Sequence, residues 1–441
     1  MLSSEGPSLI LTPRRAGVVA GEPVDLDVLV RVQAPAVAPA VAPTRQAERS
    51  PLHLALVIDR SGSMAGQPLA EAKRCAIEVV ERLSPRDRVA LVSYDDSVAV
   101  LQPARPVEDQ VRLRTLIQSI HSGGSTALHA GWVAGAQQLL PWVRPDALSR
   151  VLLLSDGQAN QGLQDVEAIA GQAAELAVSG VSTSTYGLGQ SFNEELMTAM
   201  ARAGEGRAWY GETAADLREP FTSELALLDT LWAKRVTLRA TALPGLELTM
   251  RNDYASVAPL AWRLPNIAYA TEAWALLNVR GPVAGGAEFE LRRVAVTYED
   301  MYGRPFEVQV PALTVPVLAR AVWQARDVDG LVARRAAELD GARLQMTARE
   351  AAGHGDWDRV AALLAEARQL AEASPWLGEL VTELEALARR RDDARFRKQA
   401  MYATSQMRGR LAPQCESDAM TGEAELPTWL QRKVTQGKAT R

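Results

Sequence analysis

Cysteine is nearly absent from this chain, with Cys75 and Cys415 the only two in 441 residues. So few thiols exclude a disulfide framework, and a reducing compartment is the expectation. Long apolar runs are missing too. No stretch of about 18 consecutive apolar residues exists, so no membrane-spanning helix and no membrane partner is expected. The opening residues, Met1 to Pro7, lack the basic and apolar regions of a secretory leader. These readings together place the protein in the cytoplasm. Neither sign of charge dominates: 48 basic against 53 acidic residues leave a net charge of −5. That balance gives no electrostatic case for nucleic acid, and the run Ala388-Arg389-Arg390-Arg391 reads as a solvated helix face. Histidine is scarce, and His53, His121, His129 and His354 are scattered. There is no Gly-x-x-x-x-Gly-Lys-Ser/Thr loop, Gly-x-Ser-x-Gly elbow or His-Glu-x-x-His pair, and Gly187-Leu188-Gly189 lacks the third glycine of a dinucleotide loop. The usual engines of phosphoryl, acyl and hydride transfer are therefore not evident.

What the chain does have begins at Asp59-Arg60-Ser61-Gly62-Ser63. This stretch follows Leu54-Ala55-Leu56-Val57-Ile58, an apolar run that reads as a buried parallel strand. An acid and two hydroxyls, spaced two apart, thus fall in a loop at the carboxyl end of a strand, where open α/β sheets bind their ligands. Gly123-Gly124-Ser125-Thr126 brings a threonine before a helical stretch, and Val151-Leu152-Leu153-Leu154 runs into Ser155-Asp156-Gly157. Pooled, these oxygens suit a hard cation. The plainer alternative is that Asp59 and Asp156 cap helices while the hydroxyls satisfy loop backbone.

The ordered set Asp59, Ser61, Ser63, Thr126, Asp156 resembles the metal-ion-dependent adhesion site of the von Willebrand factor A (VWA) domain, Asp-x-Ser-x-Ser followed by a Thr and an Asp, with no position missing. The resemblance covers roughly residues 51–231, about two fifths of the chain. It implies a Mg²⁺ ion, with Mn²⁺ or Ca²⁺ as alternatives. Ser61, Ser63 and Thr126 would ligate it directly, and Asp59 and Asp156 would act mostly through coordinated water.

Strand and helix patterns alternate from residue 52 to 231, the signature of a doubly wound sheet. The tight turn Asp95-Asp96 implies one antiparallel edge strand. Before it, residues 24–33 alternate as a strand, and a Pro/Ala repeat over 34–43 reads as a linker. After it, strand patterns return at 235–243, 246–251, 271–280, 286–299 and 304–315. A lone hairpin is marginal in water, so the expectation is an antiparallel β-sandwich built from both flanks, with the VWA domain inserted in it. Beyond 318 the pattern is helical, over 319–350, 357–373 and 377–407, with Asp356 or Asp358 as an N-cap. The expected divisions are 1–48 (first sandwich strands and linker), 49–232 (VWA domain), 233–318 (rest of the sandwich), 319–410 (helical region) and 411–441 (a disordered tail). Trp429, in an apolar cluster of that tail, is a candidate docking residue. Trp132, Trp142, Trp209, Trp232, Trp262 and Trp274 read as core.

Two acids against a dication leave an under-neutralised ion that an incoming carboxylate can complete. The first reading is therefore a non-enzymatic, metal-dependent protein-interaction module gripping an Asp or Glu of a partner protein. A second makes the chain an accessory subunit of a separate ring ATPase, as in chelatase-type VWA proteins. A third, a metal-dependent hydrolase, needs a general base that the residues around the motif do not supply; His129, the histidine nearest Thr126, is read as a helix-surface residue.

Overall fold

A computed structural model describes residues 6–35, 49–189, 191–241, 244–283, 287–291, 293–409 and 411–413. The motif sits on a six-stranded sheet: β1 (Leu52–Asp59), β2 (Arg88–Tyr94), β3 (Val98–Pro106), β4 (Leu148–Ser155), β5 (Val181–Leu188) and β6 (Glu205–Gly211). Their order across the sheet is β3-β2-β1-β4-β5-β6. All pairings are parallel except that of β3, the antiparallel edge strand joined to β2 by the Asp95-Asp96 turn. Every residue of β1, β4 and β5 is buried. Helices α1 (Gln67–Arg82), α2 (Gln110–Gln118), α3 (Leu128–Leu139), α4 (Val166–Val178), α5 (Glu194–Ala203) and α6 (Arg218–Asp229) complete the doubly wound α/β layer.

Local chemistry accounts for these elements. α1 buries Leu69, Ala72, Cys75, Ala76, Val79 and Val80, a stripe at helical spacing, and takes Pro68 in its first turn. Asp165 and Asn193 cap α4 and α5 by accepting from the Ala168 and Leu196 N–H groups. α3 lies close on the sheet because Gly131 and Gly135 present no Cβ: one there would collide with the Tyr94 ring and with Val57 respectively. The core under α3, α4 and α5 includes Trp132, Phe192, Met200 and Tyr210.

The chain divides into two compact units. Of the described residues, the motif-bearing unit comprises those within 49–229 and 392–403. The other comprises those within 6–35, 230–391 and 404–413, so the first unit interrupts the chain of the second. In the second unit, Val24–Gln33 lies between Ser8–Pro13 and Thr271–Gly281, followed by Glu247–Met250, all antiparallel. A second antiparallel sheet is centred on Leu231–Thr241 and Arg293–Asp300. In a third, small sheet, Val18–Val19 pairs in parallel with Leu313–Leu318. Asp356, not Asp358, caps the helix Trp357–Leu370 by accepting from the Arg359 N–H.

Several elements differ from the sequence expectation. The pattern over 319–350 is two helices, Arg320–Gln324 and Gly330–Gly353, because Asp329 caps a new start by accepting from the Val332 N–H. The pattern over 377–407 is also two helices, Pro375–Arg390 and Asp393–Gly409. Arg391 turns left-handed (φ 52°) and Asp392 accepts from the Arg395 N–H. Residues 392–403 belong with the motif-bearing unit rather than with the other helices: Lys398 pairs with Glu194 and Tyr402 stacks on Tyr210. The main segment of the motif-bearing unit ends at Asp229, and Leu231 opens a strand. The two crossings that bound 49–229 are clasped, Arg49 meeting Asp229 at 2.8 Å. Trp142 is not core but half-exposed, with the Arg88 guanidinium 3.7 Å above its ring. Trp429 and residues 414–441 lie outside the described residues, while Ala412–Pro413 adds to the strand Thr271–Gly281.

Candidate metal centre

β1 and β4 are the neighbours from which the chain winds in opposite directions, so their carboxyl ends open the crevice at the topological switch point. Asp59 ends β1 and Ser155 ends β4. The site follows from three loops that meet there.

In the first loop, the Asp59 carboxylate accepts the Ser61 N–H at 2.8 Å, an Asx turn that folds the chain back into a short 3-10 turn, Gly62–Met64. Buried Met64 anchors that turn. The second loop is tied to the first by backbone alone: Gly123 N–H donates to Arg60 C=O (2.7 Å) and Gly62 N–H to Gly124 C=O (2.9 Å). Gly123 has no room for a side chain, because a Cβ would strike the Asp95 carboxylate. That carboxylate is fixed by Arg60 and Ser97 and held down at about 2. In the third loop Gly157 passes under the other two. A Cβ there would lie 3.2 Å from Thr126 Oγ1 and 3.6 Å from Ser63 Oγ, so these two hydroxyls face one point.

The five predicted residues therefore fall in one cluster. Ser61 Oγ and Ser63 Oγ are 3.2 Å apart, and Ser63 Oγ donates to Asp156 Oδ1 at 2.8 Å. Asp59, Ser61, Thr126 and Asp156 are buried, whereas Ser63 is exposed. Among the described residues no group of three or more His, Cys, Asp or Glu gathers as a metal site; here the donor set is two acids with three hydroxyls.

Electrostatically the cluster lacks a cation. Burial pushes the Asp59 carboxyl up, and hydrogen bonds from Ser61, Ser155 and Tyr94 offset only part of that. Asp156 is pushed to about 6, first by burial and then by the negative charge of Asp59. Among the described residues no Lys, Arg or His forms an ion pair with either acid, and Arg60, next in sequence to Asp59, donates instead to Asp95. Two adjacent buried acids supported only by neutral donors fit a divalent cation with hard oxygen ligands.

Three groups escaped sequence reasoning. Ser155 Oγ donates to Asp59 Oδ2 at 2.7 Å, and buried Tyr94 donates to the same oxygen at 3.4 Å. Asn160 accepts the Thr126 N–H through Oδ1 at 2.9 Å and returns its own N–H to the Thr126 C=O at 3.2 Å. The serine stands beside Asp156 in the motif and could have been read as its companion; nothing in the residue types marked the other two. His129 is turned away, bonded through Nε2 to Gln172 at 2.7 Å.

Comparisons with known proteins bear on the fold that carries these loops. Residues 53–222 match the von Willebrand factor type A domain family. An uncharacterized protein of Synechocystis, sll0103, is 26% identical over 211 residues, covering 48% of this chain and 50% of the relative. The chain thus spans about half the length of that relative. Among solved structures, von Willebrand factor type A from Catenulispora acidiphila superposes with a TM-score of 0.70 at 18% identity, covering 93% of this chain and 99% of the other. The ArnB paralog VWA2 from Sulfolobus acidocaldarius gives 0.62 at 20% identity, covering 90% and 99%. The two structural likenesses show the fold over most of the chain, and the stretch 53–222 is the part that matches the VWA domain.

Proposed function

We propose that this protein is a metal-dependent protein-interaction module whose VWA site takes a carboxylate from a partner. One observation carries the reading: Asp59, fully buried, has only uncharged donors around it and lies beside a second buried acid. Burying such a charge costs several kcal/mol unless a cation compensates it. Ser61, Ser63 and Thr126 would hold Mg²⁺ through their hydroxyls, and Asp59 and Asp156 would hold its waters. Bound there, the ion supplies a positive centre with an exchangeable position. The chain's own contribution is to keep the three hydroxyls converged and to leave Ser63 open toward a partner. Asp59 is braced by Ser155 and Tyr94, Asp156 by Ser63, and His129 is engaged elsewhere, which favours binding over hydrolysis. The free thiol of Cys75, buried and pushed up to about 12, suits a reducing cytoplasm.

The test is calorimetry of Mg²⁺ and Mn²⁺ into the full chain and its Asp59→Ala variant, followed by capture of partners with and without EDTA. Binding to the wild type but not the variant, and a partner released by EDTA, is the expected result. Equal metal affinity in the two proteins, or a partner indifferent to EDTA, overturns the reading.

A further inference from the structure

Of the three hydroxyls, that of Thr126 stands on the longest irregular segment, the one running from the end of α2 to α3. From its side chain alone, nothing fixes where that hydroxyl points. The backbone does. On the helix side, Ala127 N–H donates to Asp95 C=O at 2.7 Å. On the opposite side Thr126 is held at both of its peptide groups by one residue, Asn160, whose Oδ1 takes the Thr126 N–H and whose own N–H is given to the Thr126 carbonyl.

We infer that Asn160 is the positioning residue of the metal centre, setting the Thr126 hydroxyl in place without touching the ion itself; this rests on the proposed metal reading. Three features support it. First, Thr126 is 3% exposed, so its N–H has little access to replacement water. Second, Asn160 follows Asp156 by four residues in the same loop, so the clamp ties the threonine loop to the loop that carries the second acid. Third, a Cβ on Gly157, three residues before Asn160, would come within 3.2 Å of Thr126 Oγ1 and 3.6 Å of Ser63 Oγ, and the Asn160 bridge ties the two loops directly beside that point. Asn160 itself is exposed, and no core packing explains its place. Groups outside the ligand set that orient a ligand typically change metal affinity about 10- to 100-fold when removed.

The experiment measures Mg²⁺ affinity by calorimetry and Mn²⁺ occupancy by paramagnetic resonance in the full chain, alongside the metal-free melting temperature. Asn160→Ala is expected to weaken Mg²⁺ at least about tenfold while the metal-free melting temperature falls by only a few degrees, as for one unsatisfied buried N–H. Asn160→Asp, which retains the acceptor, is expected to bind within a few-fold of wild type. Asn160→Gln, which displaces the acceptor by one methylene, should behave like the alanine. Should Asn160→Ala not fold, the Asp and Gln pair carries the comparison. Wild-type affinity in the Ala or Gln variant overturns this inference alone. Absence of divalent-ion binding in the wild type overturns the metal reading and this inference with it.

Discussion

Two acids at opposite ends of one sheet make the sharpest contrast in the molecule. Asp87, just before β2, and Asp59, at the end of β1, are both fully buried. Asp87 is met by both terminal nitrogens of Arg49 at 2.7 Å each, by the Leu52 N–H and by Ser84. Burial alone would raise it, but those donors outweigh burial and hold it below the usual carboxylate range. Asp59 receives three neutral donors and no cation, and is raised. The same contrast recurs inside the unit, where buried Glu224 pairs with buried Arg150 and is lowered. The fold brings its own arginine to one acid and leaves the other without one; on the proposed metal reading, the first carboxylate is structural and the second is kept for an exchangeable ion.

Removing the structural partner should have the largest effect on folding. Asp87→Ala strands Arg49 and two backbone donors and should cost about 3–5 kcal/mol, read by urea unfolding of the metal-free protein. A loss below about 1 kcal/mol, the level of an exposed pair, would erase the distinction drawn here. Asp59→Ala should do the reverse, abolishing divalent-ion binding while metal-free stability holds or rises, because a buried charge without a counter-ion is gone. Circular dichroism and calorimetry on one preparation decide between the two outcomes.

The pH responses should also oppose each other. Asp156 is raised from 3.8 to about 6, so in metal-free protein its contribution is fully present below its unfolded value and is lost as pH rises through about 6. Asp87 is lowered, so its contribution is present above the unfolded value and lost as pH falls through the lowered one. Metal-free stability, followed by thermal melts, should therefore decline across pH 4 to 7 in the wild type and lose that decline in Asp156→Asn. A variant with an unchanged slope would place the titration elsewhere. The smallest effect is expected for Ser155→Ala. It takes one donor from Asp59 and should weaken Mg²⁺ about tenfold; a tighter-binding variant would mean that the serine restrains the acid instead of supporting it.

The sheet and the clustering of the five motif residues were legible because their signals are local. Leu54 to Ile58 is apolar throughout, as a strand covered on both faces must be; Asp59, Ser61, Ser63 and Asp156 fall at the breaks that end such runs, and Thr126 in the glycine-rich stretch before a helix. What stayed hidden depends on contacts far apart in sequence. Tyr94 reads as one more apolar strand residue, and its bond to Asp59 exists only because β2 lies beside β1 with Tyr94 opposite Asp59. Asn160 is an ordinary polar loop residue until the second loop folds over it. The helical stretches were misjudged for a related reason. Apolar spacing continues through Asp329 and Asp392, and only the capping bonds of these acids show that a new helix starts there. Residues 392–403 carry helical periodicity like their neighbours, yet Lys398 and Tyr402 commit them to the other unit.

The clasp between Arg49 and Asp229 bears on how such a chain could have been assembled. Because its first and last residues meet in one ion pair, the 49–229 segment leaves and rejoins the rest of the chain at nearly a single point. A module whose ends adjoin can be spliced into a loop of another protein, or cut from it, without stretching either chain. The host strands on either side are then free to pair directly, as Val24–Gln33 and Thr271–Gly281 do across more than two hundred intervening residues. Arg49 also serves Asp87, so the residue that seals the graft is the one that secures the sheet inside it.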